Sequence, residues 1–592
     1  METLDWTIFW VYIVVMIGLG FYLSRKNKSN KSYFFAGRDQ KSALVIGVSI
    51  AATAMSSVNY SSFPTEIYGN GMYVTLSLPM FIIVALPQIK FIIPYFTNMD
   101  EPSAYSFLSK VFNRTVQAVV SVAYIIWRTT WAAVAMYICA KVLGLLADIE
   151  LVYTIWICGL VCLVYAGLGG LRAILVTDLI QTCVMWGSVL IALIITSYRA
   201  SGFFSMFNAG VDAEMTKPFS PFDSDIFTFD YTERISVLSA FIGVMIAFIA
   251  RYGVDQIMIA KYMAAKNEKV AKKGFHISYI VALVMLISLA MLAFAMRWQA
   301  DDTGKSGGPI PALKHMILLF QSFPQGFAGL LAAGLLAAAM SSVDSAANSC
   351  ANAFVVDIYV NLFKKDKKKK PSVLLSKGMT VVFCIIGILV GWLIIAEMEK
   401  SIFVIANRIL NAFGSPVLAV FIIAMFDTFV DNVSIIIGVV FGVGVSIYSA
   451  GYIDDIAIHL YAAIDLIATL GAAYLSAFIL WVLEKRGWYK RRFTEGREAF
   501  LFKNRKNIKM DEEMRALDVL VESDVLDESD ETDVVEEALD EVENVDEEEV
   551  QEVVDDEVAE EELNEKTVTD DEDLGEQVPA EDMNVEDEDV TL

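Results

Sequence analysis

Apolar runs of about twenty residues recur along most of this 592-residue chain, each long enough to cross a bilayer core as a helix. In lipid a backbone can satisfy its N–H and C=O groups only inside helices or a closed barrel, and these runs are too long for barrel strands. The fold class is therefore all-α, a polytopic membrane protein. The pattern predicts thirteen transmembrane helices over residues 6–24, 42–67, 72–95, 115–145, 150–170, 173–198, 233–261, 275–297, 324–360, 374–396, 401–425, 433–451 and 461–484. Basic clusters at Arg25 to Lys28, Lys261 to Lys273, Lys364 to Lys370 and Glu484 to Arg492 follow the first, seventh, ninth and thirteenth helices. All four fall on one side if the helices alternate, which puts the N-terminus outside and the C-terminus in the cytoplasm of a multi-pass protein of the cell membrane. The outward loops 199–232 and 298–323 are poorer in basic residues and richer in Gly, Pro, Asp and aromatics, as caps over an outer vestibule would be.

The net charge of −26 is a property of one end of the chain. From Asp511 onward there are 39 acidic and 2 basic residues, a balance of −37 that leaves +11 for everything before it. Those 82 residues contain no Trp, Tyr or Phe and cannot bury enough surface to fold alone. The expectation is a disordered cytoplasmic tail, either simply solvated or docking onto the basic inner loops, a cytoplasmic partner or divalent cations. The remaining positive charge lies in short loops, which suits a membrane face and not nucleic acid. Six cysteines, all in apolar runs without paired spacing, indicate neither a disulfide framework nor a zinc site. Three histidines leave no material for a histidine metal cluster or triad, so the reading is not an enzyme. The first apolar run has an acidic flank at Asp5 and no cleavage site, so it reads as a membrane helix and not as a removed leader.

Two of the predicted helices are interrupted. In the second, residues 51–64 (Ala-Ala-Thr-Ala-Met-Ser-Ser-Val-Asn-Tyr-Ser-Ser-Phe-Pro) break an apolar run with polar side chains and end in proline, which frees backbone carbonyls. Residues 251–256 (Arg-Tyr-Gly-Val-Asp-Gln) do the same in the seventh, five helices later. Matching interruptions in two halves point to a five-plus-five inverted repeat with its site at the membrane midplane. The division that follows is a first helix with its basic loop over 1–41, a ten-helix core over 42–425, two further helices over 426–495 and the acidic tail over 496–592.

One stretch places hydroxyls where hydrocarbon is expected. Residues 334–348 read Gly-Leu-Leu-Ala-Ala-Ala-Met-Ser-Ser-Val-Asp-Ser-Ala-Ala-Asn, with Ala338, Ser341, Ser342 and Ser345 on one helical face and Asp344 flanking it. Small residues at that spacing also let two membrane helices approach closely. Sodium needs about five oxygen ligands and, with a single charge, no set of carboxylates. The hydroxyls of Ser341 and Ser342, the Ala338 carbonyl and the freed carbonyls of Ala52 and Met55 would supply five. Asp178, with Thr177 and Gln181 beside it, is an acid inside the sixth helix, which suits either an ion path or a structural ion pair.

With these residues in view the chain resembles the sodium:solute symporters, which include sodium-glucose, proline and sialic-acid transporters. The resemblance rests on Tyr165 to Ala173 followed by Thr177, Asp178 and Gln181, on Gly253-Val254-Asp255-Gln256 with Ala264-Ala265-Lys266, on Ala337 to Ser345, and on Gly414-Ser415-Pro416. It spans roughly residues 1–490 and omits the tail. It implies a leucine-transporter-type core with sodium at Ala52, Met55, Ala338, Ser341 and Ser342. Some members bind a second sodium through positions matching Asp178, Ser341 and Ser345, although Asp344 stands where another hydroxyl is expected. For the solute, Ser56, Asn59 and Asp255 are expected at the cavity, Asn59 matching a sugar-contacting amide. The acid that grips sugars in the family aligns with Leu78, which argues against a hexose. Arg128, near the middle of the fourth helix, would receive a substrate carboxylate or pair internally with Asp255 or Asp344.

The sequence thus predicts a sodium-driven symporter importing a small organic solute, favoured as carboxylate-bearing and sialic-acid-like, by alternating access. The alternatives are a symporter of sugars or other neutral solutes, and a transporter-like sensor signalling through its acidic tail.

Overall fold

A computed structural model describes residues 1–24, 29–99, 103–217, 234–305, 310–363, 372–394, 402–453 and 456–491, together with Thr232. The acidic tail and the basic loops 25–28 and 364–370 lie outside the described residues.

The described chain is helical, its one bridge outside helices joining Gln40 to Ala265. Fifteen long elements carry the bundle: α1 (Thr3–Ser24), α2 (Ala43–Ala54), α3 (Ser57–Asn70), α4 (Met72–Asn98), α5 (Arg114–Ala147), α6 (Leu151–Gly169), α7 (Leu171–Arg199), α8 (Val237–Gly253), α9 (Gln256–Met263), α10 (Glu268–Asp302), α11 (Phe327–Asn352), α12 (Val373–Ile394), α13 (Ile402–Phe426), α14 (Asn432–Tyr452) and α15 (Tyr461–Lys485). Among the described residues nine helices are long and apolar enough to cross a bilayer, or eleven when each of two bent pairs is one span. Leu151–Gly167 and Phe413–Phe426 are shorter apolar helices, in the fifth and eleventh predicted stretches. The outer wall is greasy, with Val14, Ile194, Leu393, Val440 and Leu475 all more than 60% exposed, as side chains facing lipid are.

Both predicted interruptions are real breaks. α2 and α3 meet at 58° across Met55 and Ser56, and α8 and α9 at 47° across Val254 and Asp255. Each break is stabilised chemically: Met55 N–H closes the last turn of α2 on Ala51 O, and the Asp255 carboxylate caps α9 by accepting from Ile257 N at 3.0 Å.

The hydroxyl-bearing helix, α11, runs through the middle of the bundle against α1, α2, α5, α6, α7 and α12. Its small residues make that possible: a Cβ on Gly334 would sit 2.6 Å from Ser188 Oγ of α7, and one on Gly329 2.5 Å from the Asp5 Cα of α1. Asp5 also anchors the start of α11, its Oδ1 accepting from Gly326 N at 2.8 Å and Gly329 N at 3.1 Å, where the helix dipole favours an anion.

Candidate functional site

The first break, at Met55, and the end of α8 at Arg251 and Tyr252 border one cleft of about 820 Å³, mouth included, between α3, α4, α5, α8 and α10. Met55, Asn59, Leu78, Phe81, Trp131, Phe248, Arg251 and Tyr252 are among its walls, with Leu286 and His459. Asn59 therefore faces the cavity as expected. Leu78 faces it too, so that part of the wall is apolar. Ser56 borders a separate small void beside Tyr60 and Trp186 and donates to Asn59 Oδ1 at 3.4 Å, which orients the amide.

Three of the five sodium ligands expected from the sequence lie together. Ser341 Oγ lies 3.2 Å from Ala52 O and 3.1 Å from Ala338 O, so α2 and α11 bring two carbonyls and a hydroxyl together. Ser342 Oγ, 2% exposed, has no hydrogen-bond partner. A buried hydroxyl left unpaired costs about 1–3 kcal/mol, and a cation beside it would recover that cost. The chemistry of this donor set, neutral hard oxygens at the end of a broken helix, fits a small monovalent cation.

Asp255 was expected at the solute cavity and Arg128 either there or paired internally with Asp255 or Asp344; neither borders the cavity, and the internal pair with Asp255 is the one found. The Arg128 guanidinium and the Asp255 carboxylate form a fully buried ion pair, with Nε donating to Oδ1 at 3.1 Å, Tyr124 OH donating to the same oxygen at 3.2 Å and the guanidinium 4.3 Å from the Trp127 ring centroid. The reason is electrostatic: a guanidinium in the bilayer interior needs a fixed counter-charge, and the carboxylate capping α9 supplies it. Removing one partner strands the other. Arg128→Met or Asp255→Asn alone should cost about 3–5 kcal/mol, and the Arg128→Met/Asp255→Asn double variant should recover most of it, as unfolding midpoints in detergent would show.

The charged residue that does line the cleft is Arg251, which the sequence reading passed over. It is 5% exposed, its Nη2 donates to Thr53 O at 3.2 Å and Ala54 O at 2.9 Å, and its guanidinium lies 5.7 Å from the Trp131 ring centroid. Its Nε has no partner, and among the described residues no carboxylate reaches it. Arg251 thus caps carbonyls of the other broken helix, in the very turn that carries Ala52 and Met55.

Asp178 is fully buried and does not stand alone. It accepts from Ser49 Oγ and, at 3.1 Å, from the ammonium of Lys261, which also donates to Ser49 O at 2.8 Å and Thr53 Oγ1 at 2.5 Å. Thr53 Oγ1 is in turn 3.3 Å from Ser345 Oγ. The sequence assigned Lys261 to a basic inner loop. The structure instead ends α9 at Met263 and leaves Lys261 wholly inside.

Glu66 of α3 accepts two bonds from Arg234, both 2.9 Å, and one from Asn70 at 3.0 Å. His459 lines the cleft, and burial, with Arg234 adding repulsion, pushes its ring from the ordinary 6.5 down to about 4. A group that resists its proton when folded stabilises fully above its unfolded value and loses that contribution as pH falls toward the folded one. Between pH 7 and pH 5 the loss should be about 2 kcal/mol, absent from a His459→Gln variant, in unfolding midpoints measured against pH.

The model of the sodium:solute symporter family matches residues 33–475. The sodium/sialic acid symporter NanT of Aliivibrio fischeri is 24% identical over 486 residues, covering 80% of this chain and 93% of that protein. The sodium-coupled monocarboxylate transporter 2 of Bos taurus is 25% identical over 454 residues, covering 75% of this chain and 72% of that one. Among solved structures, the substrate-bound outward-open state of a Na⁺-coupled sialic acid symporter superposes with a TM-score of 0.71 at 21% identity, over 81% of this chain and 98% of that one, which establishes the shared leucine-transporter-type fold. With the family matched over most of the chain and the fold shared, the protein belongs to the sodium:solute symporter family.

Proposed function

We propose that the protein imports a small carboxylate-bearing solute with sodium, and that Arg251 is the residue that receives the carboxylate. One observation carries this reading: a buried guanidinium in the cleft wall with a free Nε and no acidic partner among the described residues. Such a charge is costly until an anion meets it, and a planar fork favours a carboxylate. The named substrates of the relatives, sialic acids and monocarboxylates, belong to that chemical class. Leu78 in the same wall offers no acceptor to a polyol.

The geometry also suggests how the two solutes are coupled. Sodium held by Ala52, Met55, Ala338, Ser341 and Ser342 would fix the turn at the α2–α3 break against α11. Arg251 is bonded to Thr53 O and Ala54 O within that turn, so fixing it also fixes the carboxylate receptor. Solute would then bind the sodium-loaded conformation more tightly, which is the condition for coupled transport, and reciprocity requires that solute tighten sodium. Asn59, oriented by Ser56, would read a second polar group. Arg128 and Asp255 act behind the cavity, holding α5 to the break between α8 and α9. No covalent bond is made or broken. The basic residues that follow the first, ninth and thirteenth predicted helices support a cytoplasmic C-terminus and an outer N-terminus in the cell membrane.

A panel of sialic acids, short monocarboxylates, hexoses and amino acids, screened by thermal unfolding with and without sodium, tests the substrate class. Stabilisation confined to carboxylates and requiring sodium is expected. Stabilisation by hexoses, with carboxylates silent, would reverse the assignment.

A further inference from the structure

Past the cleft wall, two side-chain amides keep hydrogen-bonding groups that nothing meets. Leu78 and Phe81 of α4 line the cleft, and Gln88, seven residues beyond Phe81, lies on the same face of α4 about 10 Å further along its axis. In the orientation proposed above, that is the inward direction. Gln88 is 0% exposed, and among the described residues neither its Nε2 nor its Oε1 has a hydrogen-bond partner. It begins a π turn, Gln88–Ile92, directly after Pro87, whose missing N–H interrupts the α-helical ladder. Facing it is Gly253, the last residue of α8, next to the cleft-lining Tyr252. A Cβ on Gly253 would lie 3.1 Å from Gln88 Nε2 and 3.5 Å from Oε1, so the amide rests directly against the backbone that leads into the second break. Beyond that break, Gln256 Oε1 accepts from Ala104 N at 2.6 Å, while its Nε2 is also unpartnered. On the cleft side the rings of Phe81 and Tyr252 meet edge to face, 5.2 Å apart. A buried amide without partners is unfavourable as it stands, so any state in which a polar group reaches it gains by comparison.

We propose that Gln88 is a second, inner solute-binding residue, which takes the carboxylate over from Arg251 when the rings of Phe81 and Tyr252 part. This rests on the carboxylate-import reading and deepens it. Gln88 Nε2 would donate to a carboxylate oxygen, with Gln256 Nε2 the next free donor, and Gln88 Oε1 would accept from a solute hydroxyl. Passing an anion from a guanidinium to neutral amides loosens the hold on it, because a bond between two ionised groups is the stronger one. The solute is gripped where it enters and held lightly where it must leave.

Membrane vesicles carrying the full-length protein test this, since right-side-out vesicles present its outer face to the medium and inside-out vesicles its inner face. The probe is a radiolabelled sialic acid or short monocarboxylate, whichever the thermal screen selects, taken up with sodium in the medium. Gln88→Met keeps the length of the side chain and loses the amide. In inside-out vesicles it should raise the half-saturating concentration by about 10- to 150-fold, as the loss of a bond to a charged group does. In right-side-out vesicles that concentration should not rise. No rise at the inner face, or an equal rise at both faces, would overturn the proposal and leave carboxylate import intact. Should Gln88→Met fail to fold, Gln88→Cys decides: the new thiol should react with a water-soluble thiol reagent added at the inner face, and solute should slow the reaction. A thiol that never reacts, or reacts equally fast with solute present, would overturn the proposal. Wild-type vesicles that take up no carboxylate at either face would overturn both readings.

Discussion

Arg251→Met should raise the solute concentration for half-maximal uptake by roughly 30-fold to several thousand-fold, because truncating one partner of a buried charge pair costs about 2–5 kcal/mol. Sodium affinity measured without solute should change far less, since Arg251 contributes no oxygen to the sodium ligands. Arg251→Lys keeps a positive charge but loses the fork and the reach to Thr53 O and Ala54 O, so it should fall between wild type and Arg251→Met. Direct binding assays with sodium and with the carboxylate that stabilises the protein separate the two affinities. A loss shared equally between sodium and solute would mean that Arg251 serves only to hold the break.

Ser341→Ala and Ser342→Ala should each weaken sodium binding by about 10- to 150-fold, the equivalent of about 1.5–3 kcal/mol for a bond to a charged group. Their sodium-free behaviour should differ. Ser341 Oγ already bridges Ala52 O and Ala338 O, so its removal loosens the contact between α2 and α11 at any sodium concentration. Ser342 Oγ bonds nothing, so Ser342→Ala should be neutral or slightly stabilising without sodium and should lose only the sodium-dependent rise in unfolding temperature. Equal destabilisation of both variants without sodium would argue that Ser342 has a structural partner instead.

The class of fold and the two helix breaks were legible because they depend on local features. A polar run inside hydrocarbon shows as a break at 51–64 and at 251–256 wherever the helix points, and hydroxyls spaced at 341, 342 and 345 share a face by helical geometry alone. What escaped depends on which side chains meet across the bundle. Two arginines, Arg128 and Arg251, compete for one nearby carboxylate, and the sequence leaves open whether Arg128 meets a solute or Asp255, 127 positions away; the rotation of α5 decides it. A signal was present all the same: Asp255 and Arg251 lie four residues apart across a helix break, so the break turns one behind the cavity wall and leaves the other in it. Lys261 was lost for a different reason. A lysine next to Lys266, Lys269, Lys272 and Lys273 counts as loop charge in any tally of basic residues, while its burial is set by two more residues of helix and by an acid on α7.

The central claim is that an inward sodium gradient drives solute uphill through the joint between α2 and α11. Its most direct measurement is accumulation of a labelled carboxylate, chosen as the one that stabilises the protein in sodium, by sealed proteoliposomes containing the purified protein. Imposed inward sodium should drive internal solute above external solute, and Ser341→Ala/Ser342→Ala vesicles should only equilibrate. Accumulation that is the same with sodium absent, or that survives the loss of both hydroxyls, would contradict the account.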